Sequence, residues 1–372
     1  MSAIEWTDET WNPVVGCTPV SSGCLNCYAA GMAVRLEAMG KKEYAARQDA
    51  AHTCELLLQS DGSGKPIWER MGDASRDARS VRIAEVKNGR AVFTGEVRTL
   101  EERLLVPLKW KKPRMVFVNS MSDLFHEAVP FEFIDRVFAV MALCPHHTFQ
   151  VLTKRPERMA EYLTSKLHRP LDARIWSGLG SLRHMIERDV RGTVDATHFT
   201  TDGTMCPLPN VWLGTSVEDQ RAADERIPHL LNCPAVVRFL SCEPLLGAVD
   251  RRAKCPPHYA AHLRADRISW VIVGGESGPK ARGCGAHWIH NVMSQCSDAG
   301  VPCFVKQLGS KPFTDPTIPG KLYWPTIGDD FDTHVIRDRK GGDPSEWPEE
   351  LRVREFPGSS PPQASPSPEA IS

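Results

Sequence analysis

Several features of membrane and exported proteins are missing from this sequence. It has no run of about 18 apolar residues, the length that a membrane-spanning helix needs, so we expect no membrane partner. Its first residues, MSAIEWTDETWNP, lack the basic segment and apolar run of a secretory signal. We therefore expect a cytoplasmic protein, in which the 12 cysteines stay reduced and form no disulfides.

The charge balance and two missing motifs disfavour further classes of protein. A net charge of −1 over 372 residues argues against a general nucleic-acid coat protein. No G-x-G-x-x-G follows an early strand-like run, which disfavours a dinucleotide-binding dehydrogenase. No His-x-His or paired-carboxylate set ends such a run, so a metal-dependent hydrolase is the weaker alternative. An excess of Lys and Arg over residues 65–114 indicates either a solvated face or a surface for an anionic substrate.

Short apolar runs rich in β-branched and aromatic residues alternate with helical patterns. Two helices are predicted over Phe131–Cys144 and His287–Ala299, the second ending at Gly300. The strand-like runs are Met115–Asn119, Thr148–Thr153, Val211–Thr215, Val236–Leu240, Trp270–Gly274 and Pro302–Lys306. Six such strand–helix units predict an α/β fold with a parallel sheet, namely a partial (β/α)6 barrel of TIM-like type with inserted segments.

The alternation of strands and helices breaks at three places, which we interpret as insertions into one barrel domain. The domain is expected to cover residues 1–355, with insertions near residues 54–98, 165–209 and 251–267. The first insertion contains a polar stretch that predicts a hairpin. Residues 356–372 are rich in Pro and Ser and predict a disordered tail.

The strongest local motif is a set of three cysteines spaced C-x6-C-x2-C, formed by Cys17, Cys24 and Cys27. They lie in a loop rich in Gly, Pro and Ser, and a helical pattern follows. Three thiolates can hold three irons of a 4Fe–4S cluster and leave the fourth iron open for a small molecule. A zinc site, with His52 or Cys54 as a further ligand, and unligated buried thiols are the alternatives.

The loop and the strand–helix units that follow it resemble the radical S-adenosylmethionine (SAM) superfamily, whose members use partial (β/α)6 barrels. Outside the insertions, nearly the whole chain is similar to an uncharacterised three-cysteine family found largely in bacteriophages and prophages. The matching stretches are IEWTDETWNPVVGC, VFVNSMSDLFHEAVP, FQVLTKRPERM, VWLGTSVEDQ, RFLSCEPLLG, VIVGGESGP and FVKQLG. A more distant likeness is to spore photoproduct lyase, which has a similar Asn-Pro…Gly-Cys approach to its cluster loop.

Two features depart from the superfamily pattern. The usual motif is C-x3-C-x2-C with an aromatic residue before the third cysteine, whereas here Tyr28 follows it. The Gly-Gly-Glu motif that binds the SAM amino group usually ends the second strand. Here Gly274, Gly275 and Glu276 end a much later run, so we assign neither glycine that role.

The resemblance implies a 4Fe–4S cluster and SAM as cofactors, an external electron donor, and a 5′-deoxyadenosyl radical that abstracts hydrogen from the substrate. It implies cofactor contacts by polar residues at the strand ends, which are Ser120, Ser122, Asp123, Lys154, Ser216 and Glu276. Lys154 matches the cation expected on the SAM carboxylate, although a surface lysine that begins a helix is the plain alternative. Asp123 has a helix N-cap as its alternative.

Two further residues are predicted to act on the substrate. Cys242 is the candidate hydrogen-atom donor, with a plain buried thiol as its alternative. Glu243 and Glu276 are candidates for ribose or substrate binding, and an ion pair of either one with Lys306 is the alternative. The basic stretch and the lyase likeness favour a nucleotide or nucleic-acid substrate. The rival hypothesis is a non-catalytic, zinc-binding accessory protein associated with nucleic acid.

Overall fold

The structure, a computed structural model, describes residues 4–48, 80–164, 171–189, 207–249, 267–314 and 336–358. The strands in these ranges are β1 (Glu9–Trp11), β2 (Val14–Val15), β3 (Arg47–Gln48), β4 (Ser80–Val81), β5 (Ala84–Lys87), β6 (Arg90–Phe93), β7 (Arg98–Thr99), β8 (Met115–Val118), β9 (Thr148–Thr153), β10 (Val211–Ser216), β11 (Val237–Cys242), β12 (Trp270–Gly274), β13 (Cys284–Gly285), β14 (Cys303–Gln307) and β15 (Pro312–Phe313). The α-helices are α1 (Tyr28–Ala38), α2 (Glu101–Leu104), α3 (Phe131–Ala142), α4 (Pro156–Thr164), α5 (Leu171–Asp189), α6 (Gln220–Asn232) and α7 (Ala286–Ala299).

Seven of the strands form a parallel sheet in the order β1-β8-β9-β10-β11-β12-β14. The six predicted runs are all among them, each within two residues of its predicted bounds. The seventh strand, β1, pairs with β8. It was not predicted, because three residues are too few to show the apolar run or alternation of a strand. The predicted α/β class is confirmed, and the strand order is compatible with a partial α/β barrel.

The chain divides into two compact units, which are Met1–Thr215 with Pro228–Val236, and Ser216–Ile227 with Val237–Ser372. The predicted single domain over residues 1–355 stays a prediction. No helix within the described ranges is long and apolar enough to cross a membrane.

The core of the first unit lies between its strands and α3. Phe149 of β9 and Ile134 and Phe138 of α3 are buried, and the two helix residues are four apart, as the buried face of a helix requires. Each buried side chain of this size contributes about 1.5–3 kcal/mol. Helix α5 packs on α3, where Gly178 lets its backbone approach that of Asp135. The described part of the insertion predicted at residues 165–209 is thus a docked helix.

A hairpin of β5 and β6 occupies part of the first predicted insertion. Its turn is Asn88-Gly89, with φ of 51° and 68°. Two consecutive positive φ values are typical of a type I′ turn, for which Asn-Gly is the preferred pair. The predicted hairpin is confirmed for this part, while residues 54–79 lie outside the described ranges.

The second unit contains the parallel strands β11, β12 and β14, with α7 packed on the last two. Gly300 ends α7 with φ of 65°, which confirms the predicted stop. A β-carbon on Gly275 would overlap the backbone oxygen of Leu308, so close backbone packing explains this glycine. Residues 251–266 and 359–372, on which the third insertion and most of the tail fall, lie outside the described residues.

Candidate cofactor site at the three-cysteine loop

Hydrogen bonds fasten the cysteine loop to the carboxyl ends of β1 and β8. The Oδ1 atom of Asn12 accepts from Ser120 Oγ and from the Met121 amide, both at 3.1 Å. Ser122 Oγ donates to the Val14 carbonyl oxygen at 2.9 Å. The hydroxyls of Ser120 and Ser122, predicted to contact the cofactor, therefore tie the loop to the strand ends.

Two residues with left-handed backbone set the course of the loop. Asn119 directly follows β8 and has φ of 61°, and its Oδ1 accepts from the Val14 amide at 3.3 Å. Asn is among the few non-glycine residues that tolerate this conformation. Gly16, with φ of 90°, directly precedes Cys17, and its amide donates to the Met121 carbonyl oxygen at 3.3 Å. The first cysteine is thereby held beside the loop that follows β8.

The three cysteines are free thiols and are half-buried. Burial, followed by the charge of Asp123, raises the pKa of Cys17 to about 12. Burial also raises the pKa of Cys27, and Cys24 adds to both shifts. Cys24 is thus an electrostatic neighbour of both other thiols. Among the described residues, no group of three or more His, Cys, Asp or Glu stands ready to hold a metal ion. Metal binding here requires deprotonation of the thiols.

Arg155, to which the sequence argument gave no role, links the cysteine loop to the end of β9. Its Nη1 lies 3.7 Å from Cys17 Sγ, and its Nη2 donates to the Thr18 carbonyl oxygen at 3.1 Å and to Thr18 Oγ1 at 2.7 Å. Its Nε donates to both carboxylate oxygens of Glu127, at 3.0 and 3.1 Å. The only signal for it in the sequence was the pair of basic residues directly after a strand.

The Asp123 carboxylate holds the ends of β8 and β9 together. Its Oδ1 accepts from the Phe125 amide at 3.0 Å and from Thr153 Oγ1 at 2.7 Å. Its Oδ2 accepts from the Lys154 amide at 3.0 Å and from Arg155 Nη1 at 3.3 Å. These four bonds favour a positioning role for Asp123, and its predicted contact with the cofactor stays a prediction.

Lys154 and Arg155 act electrostatically on different thiols. The ammonium of Lys154 opposes the rise that burial causes in the pKa of Cys27, while the guanidinium of Arg155 does the same for the pKa of Cys17. Lys154 is half-buried and Arg155 is buried. Adjacent residues at one strand end thus place a cation near each end of the cysteine motif.

His126 packs against the loop as a neutral imidazole. Its Nδ1 accepts from the Ala128 amide at 3.1 Å, so Nε2 carries the proton and donates to Thr18 Oγ1 at 2.9 Å. Burial lowers the pKa of His126, and the nearby charge of Arg155 lowers it further. His126 therefore supports the loop, and its contacts occupy both of its ring nitrogens.

A cavity of about 390 Å³ opens beside the loop. Its wall includes Asn12, Tyr28, Met32, Ser120 and Met121. The Tyr28 hydroxyl donates to the Ser120 carbonyl oxygen at 2.8 Å. This volume lies in the range of about 300–1,000 Å³ that is typical of small-molecule sites.

The last four basic residues of the Lys- and Arg-rich stretch over residues 65–114 lie away from this site. Lys109, Lys111, Lys112 and Arg114 come directly before β8. They therefore lie at the amino edge of the sheet, whereas the cysteine loop lies at the carboxyl edge. Residues 65–79 of the stretch lie outside the described ranges.

Two predicted site residues are found at or just after the end of β11, in the second unit. Cys242 is 2% exposed, and its pKa is raised by burial first and then by Cys296 and Glu218. Glu243 accepts a hydrogen bond from Lys306 Nζ at 2.6 Å, which is the predicted alternative of an ion pair. A buried thiol of raised pKa is chemically inert as a nucleophile.

The remaining two predicted residues also make contacts within the second unit. The Ser216 carbonyl oxygen accepts from Arg226 Nη1 at 2.8 Å. Glu276 is buried and pairs with Arg282, whose Nε and Nη2 donate to it at 2.9 and 2.6 Å. Glu276 therefore pairs with Arg282, while Lys306 pairs with Glu243.

Comparison with known proteins identifies a family. A model of a protein family of unknown function, DUF5131, matches residues 1–335, a range that includes the three cysteines and every residue of the site described above. No curated protein and no solved structure matches the chain. Because the match covers most of its length, this chain belongs to the DUF5131 family.

Proposed function

We propose that this chain is a cytoplasmic radical SAM enzyme that binds a 4Fe–4S cluster through Cys17, Cys24 and Cys27. When bound, such a cluster supplies the electron that cleaves SAM to methionine and a 5′-deoxyadenosyl radical, which abstracts hydrogen from the substrate. An external donor provides that electron.

One observation carries the proposal. Three half-buried thiols lie at the carboxyl ends of parallel strands, Cys24 acts electrostatically on the other two, and the cations of Lys154 and Arg155 lie near those two. Carboxyl ends of parallel strands are where α/β barrels and open α/β sheets bind their ligands. Nearby positive charge stabilises the thiolates that iron requires.

The donor set fits iron better than a closed zinc site. Structural zinc takes four protein ligands, and the cysteine motif supplies three. His126 is the described histidine that contacts the loop, and its ring nitrogens already bond Thr18 and the Ala128 amide. His52 and Cys54, the other ligands considered, lie outside the described residues.

Other residues of the chain hold the cysteine loop in place and form the proposed binding site for SAM. Asp123 and Arg155 hold the cysteine loop against the end of β9. The Lys154 ammonium is positively charged and lies near Cys27, so we assign it to the carboxylate of SAM. The cavity beside Tyr28 and Ser120 is large enough for a small polar ligand.

For the substrate we propose a nucleotide or nucleic acid, as the likeness to spore photoproduct lyase implies. Cys242 and Glu243 remain proposed as substrate-facing residues, with Ser216 and Glu276 as further cofactor contacts. The burial of Cys242 requires that its thiol be reached from within the fold rather than from solvent.

Anaerobic purification and reconstitution with iron and sulfide test the proposal. We expect a brown protein with about four irons per chain that converts SAM to 5′-deoxyadenosine when dithionite is added. A colourless protein with one tightly held zinc per chain would instead support the non-catalytic accessory protein. In that case the radical mechanism is wrong.

A further inference from the structure

We propose that Arg155 raises the reduction potential of the cluster through its hydrogen bond to the sulfur of Cys17. This inference rests on the proposed function and deepens it. It gives the chain a named residue that controls how readily the site accepts an electron.

The guanidinium of Arg155 is fixed in place by its own contacts. Nη1 lies 3.7 Å from Cys17 Sγ, a hydrogen-bond distance for sulfur, and Nη2 donates to two oxygens of the adjacent Thr18. Asp123 and Glu127 accept from it on its other side. Five acceptor groups on two segments, the cysteine loop and the loop between β8 and α3, therefore hold the cation against one cysteine.

Burial makes this charge effective. The side chains of Arg155 and Asp123 are each 6% exposed, so little solvent screens either charge from the sulfur. The Asp123 carboxylate raises the pKa of Cys17 and the Arg155 guanidinium lowers it, so removal of Arg155 leaves the negative charge of Asp123 unopposed at that sulfur. Glu127, by contrast, is 65% exposed and its charge is screened by water.

The sign of the effect follows from charge. One added electron makes the cluster and its thiolates more negative, while Arg155 keeps its proton and its positive charge throughout. A cationic donor on a ligand sulfur stabilises the more negative state, as hydrogen bonds to sulfur tune iron–sulfur potentials in general. Arg155 therefore favours the reduced form.

A role in folding alone is distinguishable from this one. Arg155 also pins the loop, so loss of activity in a variant would not separate the two roles. The reduction potential does separate them, because the loaded cluster reports the charge at Cys17 whatever the catalytic rate. Arg158, three residues after Arg155 and within α4, offers a matched control: it donates to the carbonyl oxygens of His126 and Val129, both at 2.8 Å.

The experiment compares wild type, Arg155→Met, Arg155→Gln and Arg158→Met, each reconstituted anaerobically with iron and sulfide. The reduction potential is measured without SAM, by redox titration with the electron paramagnetic resonance of the reduced cluster as the signal. We expect Arg155→Met to lower the equilibrium constant for reduction about tenfold, a shift of about 59 mV to more negative potential for one electron. Arg155→Gln, which retains a neutral donor, is expected to shift in the same direction by less, and Arg158→Met by much less than Arg155→Met.

Each outcome decides the inference. If Arg155→Met takes up no cluster, the Arg155→Gln variant carries the test. Equal potentials for wild type and the loaded Arg155 variants overturn the inference and leave the proposed function standing. A shift in Arg158→Met as large as that in Arg155→Met also overturns it, because a general loss of charge would then be the cause. A wild-type chain that binds no cluster overturns the proposed function, and the inference with it.

Discussion

Gly16 lies against the backbone of Glu96, so that a β-carbon on Gly16 would overlap the Glu96 carbonyl oxygen. The residue also has φ of 90°, a conformation that side chains other than glycine rarely adopt. It directly precedes Cys17, so the close approach of these two backbones fixes where the cysteine loop begins.

Replacing Gly16 with Ala should destabilise the protein by about 2–3 kcal/mol, because strain and steric overlap act together. Gly31→Ala is the matched control. Gly31 lies within α1, and a β-carbon there would have no atom within 4 Å beyond its chain neighbours and the backbone of its own helix, so alanine there should stabilise by about 0.5–1 kcal/mol. Urea unfolding of both variants measures the difference. A Gly16→Ala protein as stable as wild type would contradict the described loop.

Loss of one ligand should abolish the cluster while leaving the fold intact. Cys24 is half-buried, so Cys24→Ala should cost about 1 kcal/mol or less and still eliminate iron uptake and 5′-deoxyadenosine formation. Iron analysis and mass spectrometry measure these two results. Cys233→Ala, at a buried thiol bonded to the His229 carbonyl oxygen, should retain both. If Cys24→Ala still forms 5′-deoxyadenosine with dithionite, the assignment of the ligands is wrong.

Removal of the Asp123 carboxylate should leave a buried cation without its buried partner. Asp123→Ala is expected to lower the free energy of unfolding by about 3 kcal/mol, because four hydrogen bonds are lost, one of which is also the ion pair with Arg155 at 3.3 Å. Glu127→Ala removes a carboxylate from the same arginine at a site 65% exposed, and should cost less than about 1 kcal/mol. Denaturant unfolding of the two variants measures both costs. Equal costs would argue against the buried pair as the stronger link.

The proposed role of Lys154 predicts a specific kinetic change. Lys154→Met should raise the SAM concentration needed for half-maximal 5′-deoxyadenosine formation about tenfold, because a charged hydrogen bond to the SAM carboxylate is lost. Lys112→Met removes a lysine directly before β8, at the other edge of the sheet, and should leave that concentration unchanged. An unaltered SAM dependence in Lys154→Met would remove this residue from the cofactor site.

Stability should fall as the pH drops below about 6.5, in part because of His147. Burial, followed by the charge of His146, lowers the pKa of His147 from its ordinary value of 6.5. The unfolded chain then binds the proton more tightly, so the stability is present above pH 6.5 and is lost as the pH falls through that value toward the lowered pKa. His147→Gln should reduce this loss, and His146→Gln, at an exposed position, should change it less. Urea unfolding at about pH 7.5 and about pH 5.5 provides the comparison.

Local pattern was sufficient to predict the six long strands and the ends of the main helices. Buried parallel strands such as Trp270–Gly274 are continuous apolar runs, and Gly300 stops its helix through an energetic preference that acts within a few residues. β1 and α5 were harder to predict. The first owes its conformation to pairing with β8, and the second packs against α3.

For the site, residue type and spacing indicated the three thiols and the basic residue after β9. They gave no way to assign partners among Asp123, Lys154 and Arg155, because those contacts join segments 30 or more residues apart. The Ser120 and Ser122 hydroxyls show the same limit. Because these hydroxyls are polar, the sequence predicted that they bind a cofactor. In the folded protein they form hydrogen bonds to Asn12 and Val14 that hold the cysteine loop.

By itself, the sequence determined the α/β alternation, the loop with three cysteines and the helix that starts at Tyr28, because these features depend on near neighbours along the chain. Only the tertiary structure decided that the Arg155 guanidinium contacts the sulfur of Cys17, which is 138 positions away in the sequence. The same holds for the hydrogen bond that the Asp123 carboxylate accepts from Thr153 at the end of β9. Hydrogen bonds and buried charges depend on distance in space, and that distance exists only once the strands have paired and brought their carboxyl ends to one edge.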